Sequence, residues 1–186
     1  MDKAALSQRF IASALLSHPI FGRLKHKEAL ELAGRCRQVR LARGETLFSQ
    51  GEPAKEMYMV ISGILTISCE SPDSIPVMVG LSREGSILGE MGAFDEAPRS
   101  ATVTANIEST VLALPGVAFL EMVELGHPAA HSILRWLRAQ ICARLRLLDE
   151  RLDALFEQDA ANLPTEEVQR RVRSLWGAVS GQEVPS

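Results

Sequence analysis

Apolar residues recur at helical spacing near the amino terminus of the chain. From Ala5 to Leu16 they fall on one helical face, and His18-Pro19 then interrupts the pattern. A second segment with this period follows at about Lys27 to Cys36. Residues 1–38 are therefore predicted to form two helices that cover one side of a larger structure.

From Val39 the pattern changes to that of short strands. Runs of apolar and β-branched residues are separated by turns at Gly44, Gly51 and Gly63, which is typical of closed antiparallel structures. About eight such runs fit between residues 39 and 115. The pattern predicts an α+β fold, mainly β: an antiparallel β-roll or jelly-roll with N-terminal helices.

After Pro115 the helical period returns. Residues 117–124 predict a short helix, and Gly126-His127-Pro128 separates it from a long helix at about 129–157. Residues 158–186 are predicted to form a polar linker and a terminal amphipathic helix. The predicted organisation is thus N-terminal helices (1–38), a β-roll (39–115), a hinge with the long C-terminal helix (116–157) and a tail (158–186).

The long helix has an apolar stripe with a seven-residue repeat. Such a repeat predicts that two helices pair along the stripe, here in a homodimer, although an amphipathic helix can also pack on its own domain. The stripe consists of Leu134, Ile141, Leu145, Leu148, Leu152 and Leu155.

Composition and charge narrow the function classes. With 186 residues and 46% hydrophobic content, the chain can bury one sizeable core. The net charge of -3 argues against a globally basic nucleic-acid binder. No apolar run approaches the ~20 residues that span a bilayer, and the start lacks a signal-peptide core. We therefore expect a cytoplasmic protein without membrane contact.

The sequence offers few candidates for metal binding or catalysis. Cys36, Cys69 and Cys142 lie far apart without metal-binding spacing. His127 and His131 lie four residues apart but have no patterned acidic or cysteine partner, so we expect no metal site. No nucleophile with a base and no general-acid pair is evident. The chain is predicted not to be an enzyme and to need no cofactor.

One stretch, ILGEMGAFDEAPRSATVTA from Ile87 to Ala105, combines a carboxylate and a guanidinium around a glycine-containing turn. Gly89 and Gly92 let the backbone approach a ligand, and the first N–H groups of a helical turn attract phosphate. Arg99 offers a planar fork of donors, whereas Glu90 accepts from hydroxyl or N–H donors. The stretch predicts a phosphate held beside a hydroxyl, unless the two charges merely pair across the turn.

This spacing resembles the phosphate-binding cassette of cyclic nucleotide-binding domains, the family of catabolite activator protein and the protein kinase A regulatory subunits. There Gly-Glu is followed by Pro-Arg-(Ser, Thr or Ala)-Ala, matched here by Gly89-Glu90 and by residues 98–101. The upstream strands also resemble the roll of this family. The matching positions are Leu47, Gly51, Tyr58, Val60, Gly63 and Leu65.

The resemblance implies a reversible cyclic nucleotide receptor whose long helix closes over the ligand and signals to a protein effector. It implies that Glu90 takes the ribose 2′-hydroxyl and Arg99 the cyclic phosphate. The other phosphate oxygens would meet the Met91 and Gly92 amides and the Ser100 hydroxyl. Ile67, with Val77 or Val79, could form an apolar wall against the purine, and packing in the core is the alternative role for these residues. The full set of expected ligand contacts is Gly89, Glu90, Met91, Gly92, Arg99, Ser100, Ala101, Ile67, Val77 and Asp149.

The choice between cAMP and cGMP depends on two residues. Ser100, rather than threonine, follows Arg99, and threonine there often accompanies guanine recognition in this family, so we favour cAMP. Asp149 would oppose this choice if the long helix closed over the pocket, because a carboxylate can accept from the guanine N1–H and N2–H₂ groups. A surface position paired with arginine is the other interpretation of Asp149.

Two other functions compete with this one. A roll with a basic dimer helix also resembles transcription regulators of the catabolite-activator type. Only 29 residues follow Glu157, fewer than the ~50 that a helix-turn-helix module with its support requires, so we expect no DNA binding. A degenerate roll acting only as an interaction scaffold is disfavoured by the intact Glu90, Arg99 and Ser100.

Overall fold

The computed structural model describes residues 3–70, 76–91 and 97–160, with side chains from residue 8 to residue 154. It begins with α1 (Lys3–Ser17) and α2 (His26–Arg35), which confirms the two predicted N-terminal helices. At the start of α2 the Lys25 N–H donates to the Glu28 carboxylate over 2.8 Å. This bond satisfies a backbone donor that the helix leaves unpaired.

Eight strands follow in the described part of the chain, and all of their pairings are antiparallel. They form two four-stranded sheets with the orders β1-β8-β3-β6 and β2-β7-β4-β5, which confirms the predicted mainly β fold. The strands are β1 (Arg37–Leu41), β2 (Thr46–Phe48), β3 (Glu56–Ser62), β4 (Ile64–Glu70), β5 (Pro76–Arg83), β6 (Ile87–Leu88), β7 (Thr102–Ala105) and β8 (Ser109–Pro115).

Both sheets contribute to one apolar core. Its buried side chains include Tyr58, Val60 and Val111 from one sheet and Leu65 and Val103 from the other. Since side chains alternate between the two faces of a strand, each sheet can bury one face against the other. The roll is thus the scaffold that fixes the residues at its strand ends.

Two helices follow the roll. In α3 (Gly116–Glu124), Phe119 and Met122 are fully buried, whereas Val117 is 72% exposed. Gly126 has a φ of 64°, a conformation that glycine adopts readily and that ends the helix. The long helix α4 (Pro128–Ala160) begins at a proline, which is favoured at the first helical position.

Contacts divide the chain into two compact units, residues 1–136 and 137–186. Within the second unit, every described residue from 141 to 151 is exposed. The predicted stripe residues Ile141, Leu145 and Leu148 are 54%, 54% and 55% exposed. Among the described residues, no helix is both long and apolar enough to span a bilayer.

His18 follows α1 and is only 2% exposed. Its Nδ1 accepts a hydrogen bond from the Ile20 N–H over 3.3 Å. Burial lowers the pKa of His18 to about 4, and the nearby Val60 backbone opposes this shift only in part. Between about pH 6.5 and pH 4 the unfolded chain therefore binds a proton at His18 that the folded chain does not bind.

We predict that His18 makes the free energy of unfolding fall by up to ~3 kcal/mol between about pH 7 and pH 4. The stabilisation is complete above about pH 6.5 and decreases as the pH falls towards 4, because the folded state excludes the charged imidazole. Urea denaturation at several pH values should show a flatter pH dependence for His18→Gln. The matched control His26→Gln, at an exposed position, should keep the wild-type slope. Equal slopes in all three proteins would contradict the prediction.

Candidate functional site

Arg99 stands just before β7, and its backbone is fixed by the turn that follows β2. The Arg99 N–H donates to the Glu52 carbonyl over 2.8 Å, and the Gly51 N–H donates to the Arg99 carbonyl over 2.9 Å. Pro98 restricts φ immediately before it. The Arg99 side chain therefore extends from a rigid backbone. The residue is only 6% exposed.

The Arg99 guanidinium lies over two aromatic rings of the core. It is 4.3 Å from the Phe48 ring centroid and 5.5 Å from that of Tyr58. The two rings stack on each other with centroids 5.6 Å apart. Contact with ring faces is favourable for a cation, so the core supports the charged group from one side.

The guanidinium also joins the ends of two strands. Nη1 donates to the Gly89 carbonyl over 3.0 Å, and Nη2 donates to the Glu56 carbonyl over 2.8 Å. β3 and β6 pair only through Tyr58–Leu88 and Met59–Ile87, so both carbonyls lie just beyond the last paired residues. Arg99 therefore supplies hydrogen bonds where the ladder between β3 and β6 ends.

The orientation of the Glu56 carbonyl follows from the pairing of β3 with β8. Glu56 is opposite Pro115, and the Gly116 N–H donates to the Lys55 carbonyl over 2.9 Å. This arrangement is that of a non-hydrogen-bonded antiparallel pair, in which the carbonyl of the paired residue faces away from its partner strand. The Glu56 carbonyl therefore faces away from β8, where Arg99 reaches it.

Gly89 is required for this arrangement. Its φ is 68°, and a Cβ added there would overlap Nη1 of Arg99. A side chain at position 89 would thus be strained by the backbone and would displace the guanidinium.

Arg99 retains an unused donor. Its Nε is buried, and no acceptor for it is present among the described residues. Both hydrogen-bond partners of the Arg99 guanidinium in that part of the chain are backbone carbonyls, not carboxylates. A buried, positively charged donor without a partner is costly. The chemistry of the site therefore suits an anion that accepts from Nε.

Glu90 and Met91 continue directly from Gly89 and begin a short helical turn. Met91 is 54% exposed, and Gly92 lies outside the described residues. On the other side of the cassette Ser100 is exposed and Ala101 partly buried. The hydrogen bond between Arg99 and Gly89 thus brings together the two halves of the predicted cassette.

The predicted purine contacts share one face of β4 and β5. Cys69 is paired with Val77 and lies two residues from Ile67, so Ile67 and Val77 are on the same face. Val79 falls at the register shift and has no direct partner. Ile67 packs against the core, and Val77 is 50% exposed.

Cys69 was not among the site residues predicted from the sequence. It lies opposite Val77 and on the same face as Ile67, and its Sγ donates to the Ser100 carbonyl over 3.5 Å. The available signal was the period of two along β4, which places residue 69 on the face of residue 67. Cys69 therefore connects the face of the predicted purine contacts with the cassette.

A pocket of about 800 Å³ adjoins Arg99 on the side of α3. Its volume is within the range of small-molecule sites. Of the predicted contacts, Arg99 alone is among the described residues that line it. Those residues are Pro53, Ala54, Lys55, Glu56, Tyr58, Arg99, Pro115, Gly116, Val117 and Leu120.

The remaining candidates lie elsewhere. Asp149 is exposed on α4 within the second unit, and its role stays a prediction. His127, considered as a metal ligand, instead pairs through Nε2 with the Glu31 carboxylate over 2.9 Å, a partner distant in sequence. Among the described residues, no group of histidine, cysteine and acidic side chains could hold a metal ion.

The fold and the site together consist of an antiparallel roll with a buried arginine bonded to a glycine turn. Residues 38–125 match the model of the cyclic nucleotide-binding domain. The chain belongs to the cyclic nucleotide-binding domain family.

Individual relatives support this assignment. The chain is 31% identical to the cyclic AMP receptor protein of Thermus thermophilus over 77% of its own length and 65% of the relative's. It is 29% identical to the cAMP-activated global transcriptional regulator Vfr of Pseudomonas aeruginosa over 67% of this chain and 57% of Vfr. A solved N-terminal domain of a transcriptional regulator from Streptomyces coelicolor is 31% identical, with a TM-score of 0.57, and the match covers 74% of this chain and 95% of that one. The chain spans only about half the length of several curated relatives that it matches. The matched part is 54% of a CRP-like regulator of Mycobacterium tuberculosis and 57% of Vfr.

Proposed function

We propose that this protein is a cyclic nucleotide receptor that binds its ligand at Arg99 and reports it through its C-terminal helices to a protein effector. The observation that carries the proposal is the buried Nε of Arg99, which has no acceptor among the described residues. A cyclic phosphate would provide that acceptor. The binding needs no bond breaking, since Arg99 only donates hydrogen bonds and stays protonated.

cAMP is the favoured ligand in this proposal. Ser100 follows Arg99 in the sequence, and the matched regulators of Pseudomonas aeruginosa and Thermus thermophilus are described as cAMP-activated and as a cyclic AMP receptor. The apolar face with Ile67 and Val77 would pack against a purine. Glu90, which follows Gly89 in the sequence, would accept a hydrogen bond from the ribose 2′-hydroxyl. Asp149 on α4 is the residue that could instead favour cGMP.

A second candidate is the sensor part of a transcriptional regulator. It is favoured by the descriptions of two matched proteins as transcriptional regulators. Both candidates bind a cyclic nucleotide at the same site, and they differ only in the effector. The expected lack of DNA binding stays a prediction.

We predict that cAMP binds and raises the melting temperature, because a ligand that binds only the folded state adds ~2.7 kcal/mol at a hundredfold excess over Kd. Calorimetric titration with cAMP, cGMP and linear AMP should give the highest affinity for cAMP. Arg99→Ala should lower the cAMP affinity about ten- to a hundredfold, since it removes a charge-assisted hydrogen bond worth ~1.5–3 kcal/mol.

Arg99→Lys is the matched variant for this experiment, because it keeps the charge but lacks the planar fork. It should also bind cAMP more weakly than the wild type. Thermal melts of both variants check that the protein folds, since Arg99 also joins two strand ends. A folded Arg99→Ala protein with wild-type affinity would refute the proposed site. A wild-type preference for cGMP that disappears in Asp149→Ala would assign nucleotide selection to Asp149 instead of Ser100.

The three cysteines allow an independent test of where the ligand lies. Cys69 adjoins Ser100, Cys142 is exposed on α4, and burial raises the pKa of Cys36 to about 12. Because the thiolate is the reactive form, Cys36 should react slowly at about pH 8. Cys69 thus reports on the proposed ligand site, and Cys142 reports separately on α4.

We predict that saturating cAMP slows iodoacetamide alkylation of Cys69 at least severalfold, because the ligand covers the face that carries Ile67, Cys69 and Val77. Peptide mass spectrometry after timed quenching measures the alkylation rates of Cys69 and Cys142. Linear AMP serves as the ligand control, and Arg99→Ala should lose the protection at the same cAMP concentration. Equal Cys69 rates with and without saturating cAMP would exclude this face as the ligand site.

We further propose a homodimer through α4. Three residues of the predicted stripe, Ile141, Leu145 and Leu148, are more than half exposed. The stripe residues Leu134 and Leu152 are partly buried, and the side chain of Leu155 lies outside the described part. A row of exposed leucine and isoleucine at a seven-residue repeat is suited to pairing with a second copy.

We predict that Leu148→Asp converts the dimer to a monomer. Dimerisation would bury the unpaired carboxylate of Asp at position 148, at a cost of ~3–5 kcal/mol. Light scattering with size-exclusion chromatography measures the mass of each protein. Leu147→Asp is a close control, since Leu147 is 49% exposed but lies beside the stripe. It should leave the dimer intact. A wild-type monomer with and without cAMP would exclude the dimer.

A further inference from the structure

Glu56 takes part in the site through two different groups. Its carbonyl accepts from Nη2 of Arg99 over 2.8 Å. Its carboxylate Oε2 accepts from Nη2 of Arg37 over 3.0 Å and from the Tyr58 hydroxyl over 3.1 Å. Two residues, Arg37 and Tyr58, are therefore connected to Arg99 through one glutamate.

The position of Glu56 in the chain makes its side-chain contacts important. It is the first residue of β3, and residues 53–55 before it have no regular structure. The ends of strands have fewer ladder bonds than their centres, so they open more easily. The contacts to Arg37 on β1 and to Tyr58 on β3 hold the Glu56 backbone, and hence the carbonyl that orients Arg99.

Tyr58 gives this arrangement a second route to Arg99. Its ring stacks on Phe48, and the guanidinium lies over both rings. Its hydroxyl donates to the Glu56 carboxylate. Burial, followed by the nearby Glu56 charge, raises the pKa of Tyr58, so the hydroxyl remains a donor at neutral pH.

We infer that Glu56 is a positioning residue for the phosphate-binding arginine: its carboxylate, held by Arg37 and Tyr58, fixes the backbone carbonyl that directs the Arg99 guanidinium towards the ligand. This inference rests on the proposed function. A positioning role is distinguishable from a simple charge effect, because a carboxylate near a bound phosphate repels it. If charge alone acted, removal of the Glu56 charge would raise the affinity for the nucleotide.

Two substitutions at this position separate the alternatives. Glu56→Gln keeps an oxygen acceptor for Arg37 and Tyr58 but removes the charge, whereas Glu56→Ala removes both. We expect Glu56→Ala to lower the cAMP affinity about tenfold, the effect of one hydrogen-bond contribution. Glu56→Gln should stay within about threefold of the wild type. Tyr58→Phe, which removes only the hydroxyl, should lie between them, and Glu108→Ala, at an exposed position of the roll, is the matched control.

If Glu56 positions Arg99, the loss of affinity in Glu56→Ala should require both Arg99 and the phosphate of the ligand. A general loss of structure would require neither. Calorimetry should show that Glu56→Ala reduces cAMP binding but leaves binding of adenosine, which has no phosphate, within about twofold. In an Arg99→Lys background, the same substitution should change cAMP affinity by less than about twofold, since residues that act through one another are not additive. An equal loss in both backgrounds, an equal loss for adenosine, or a gain in both Glu56 variants would overturn the inference.

A measurement without ligand keeps this result separate from the proposed function. The Arg99 Nε–H signal in a ¹⁵N NMR spectrum, assigned by its absence in Arg99→Lys, should broaden or shift in Glu56→Ala and stay in place in Glu56→Gln. A wild-type protein that binds no cyclic nucleotide would refute the proposed function, whatever this signal shows. An Nε–H signal that is identical in Glu56→Ala and the wild type would refute the positioning role, even if cAMP binds.

Discussion

The buried guanidinium of Arg99 is the constraint on which the site depends. A charge in the interior must be compensated by hydrogen bonds and polarisable neighbours. Here two carbonyls at strand ends and the faces of Phe48 and Tyr58 provide that compensation. The requirement explains why Gly89 has no side chain and why the backbone of Arg99 is held by the turn at Gly51 and Glu52.

The same constraint relates the site to the helix that follows the roll. Two successive carbonyls of the chain accept in different directions: that of Lys55 from Gly116, the first residue of α3, and that of Glu56 from Arg99. The peptide group between them is planar and stiff. The strand start at β3 is thus a shared support for the arginine and for α3, and its side-chain contacts affect both.

Much of this arrangement could be predicted from the sequence, because local patterns specify local structure. Glycine turns and alternating apolar residues identified an antiparallel roll, and the helical periods located α1, α2, α3 and α4 closely. The spacing of Gly89 and Arg99 predicted a shared site. The structure now shows these two residues in direct contact.

Other parts depend on contacts across the fold, which leave no local pattern. The role of the Glu56 carbonyl follows from strand register and from Pro115 on the opposite strand. Cys69 approaches Ser100 only because β4 lies beside β7. His127 finds its partner, Glu31, in a helix from the other end of the sequence. In each case the two residues lie far apart along the chain, and only the tertiary structure brings them together.

The close approach of Arg99 to Gly89 has a consequence for how this sequence can diverge. As long as position 99 is arginine in this geometry, position 89 has no room for a β-carbon and must remain glycine. A descendant that lost the arginine would be released from the steric part of that restriction, and only the φ of 68° at residue 89 would still favour glycine. Among distant homologues, a non-glycine residue at position 89 would therefore mark lineages in which the guanidinium has left its place.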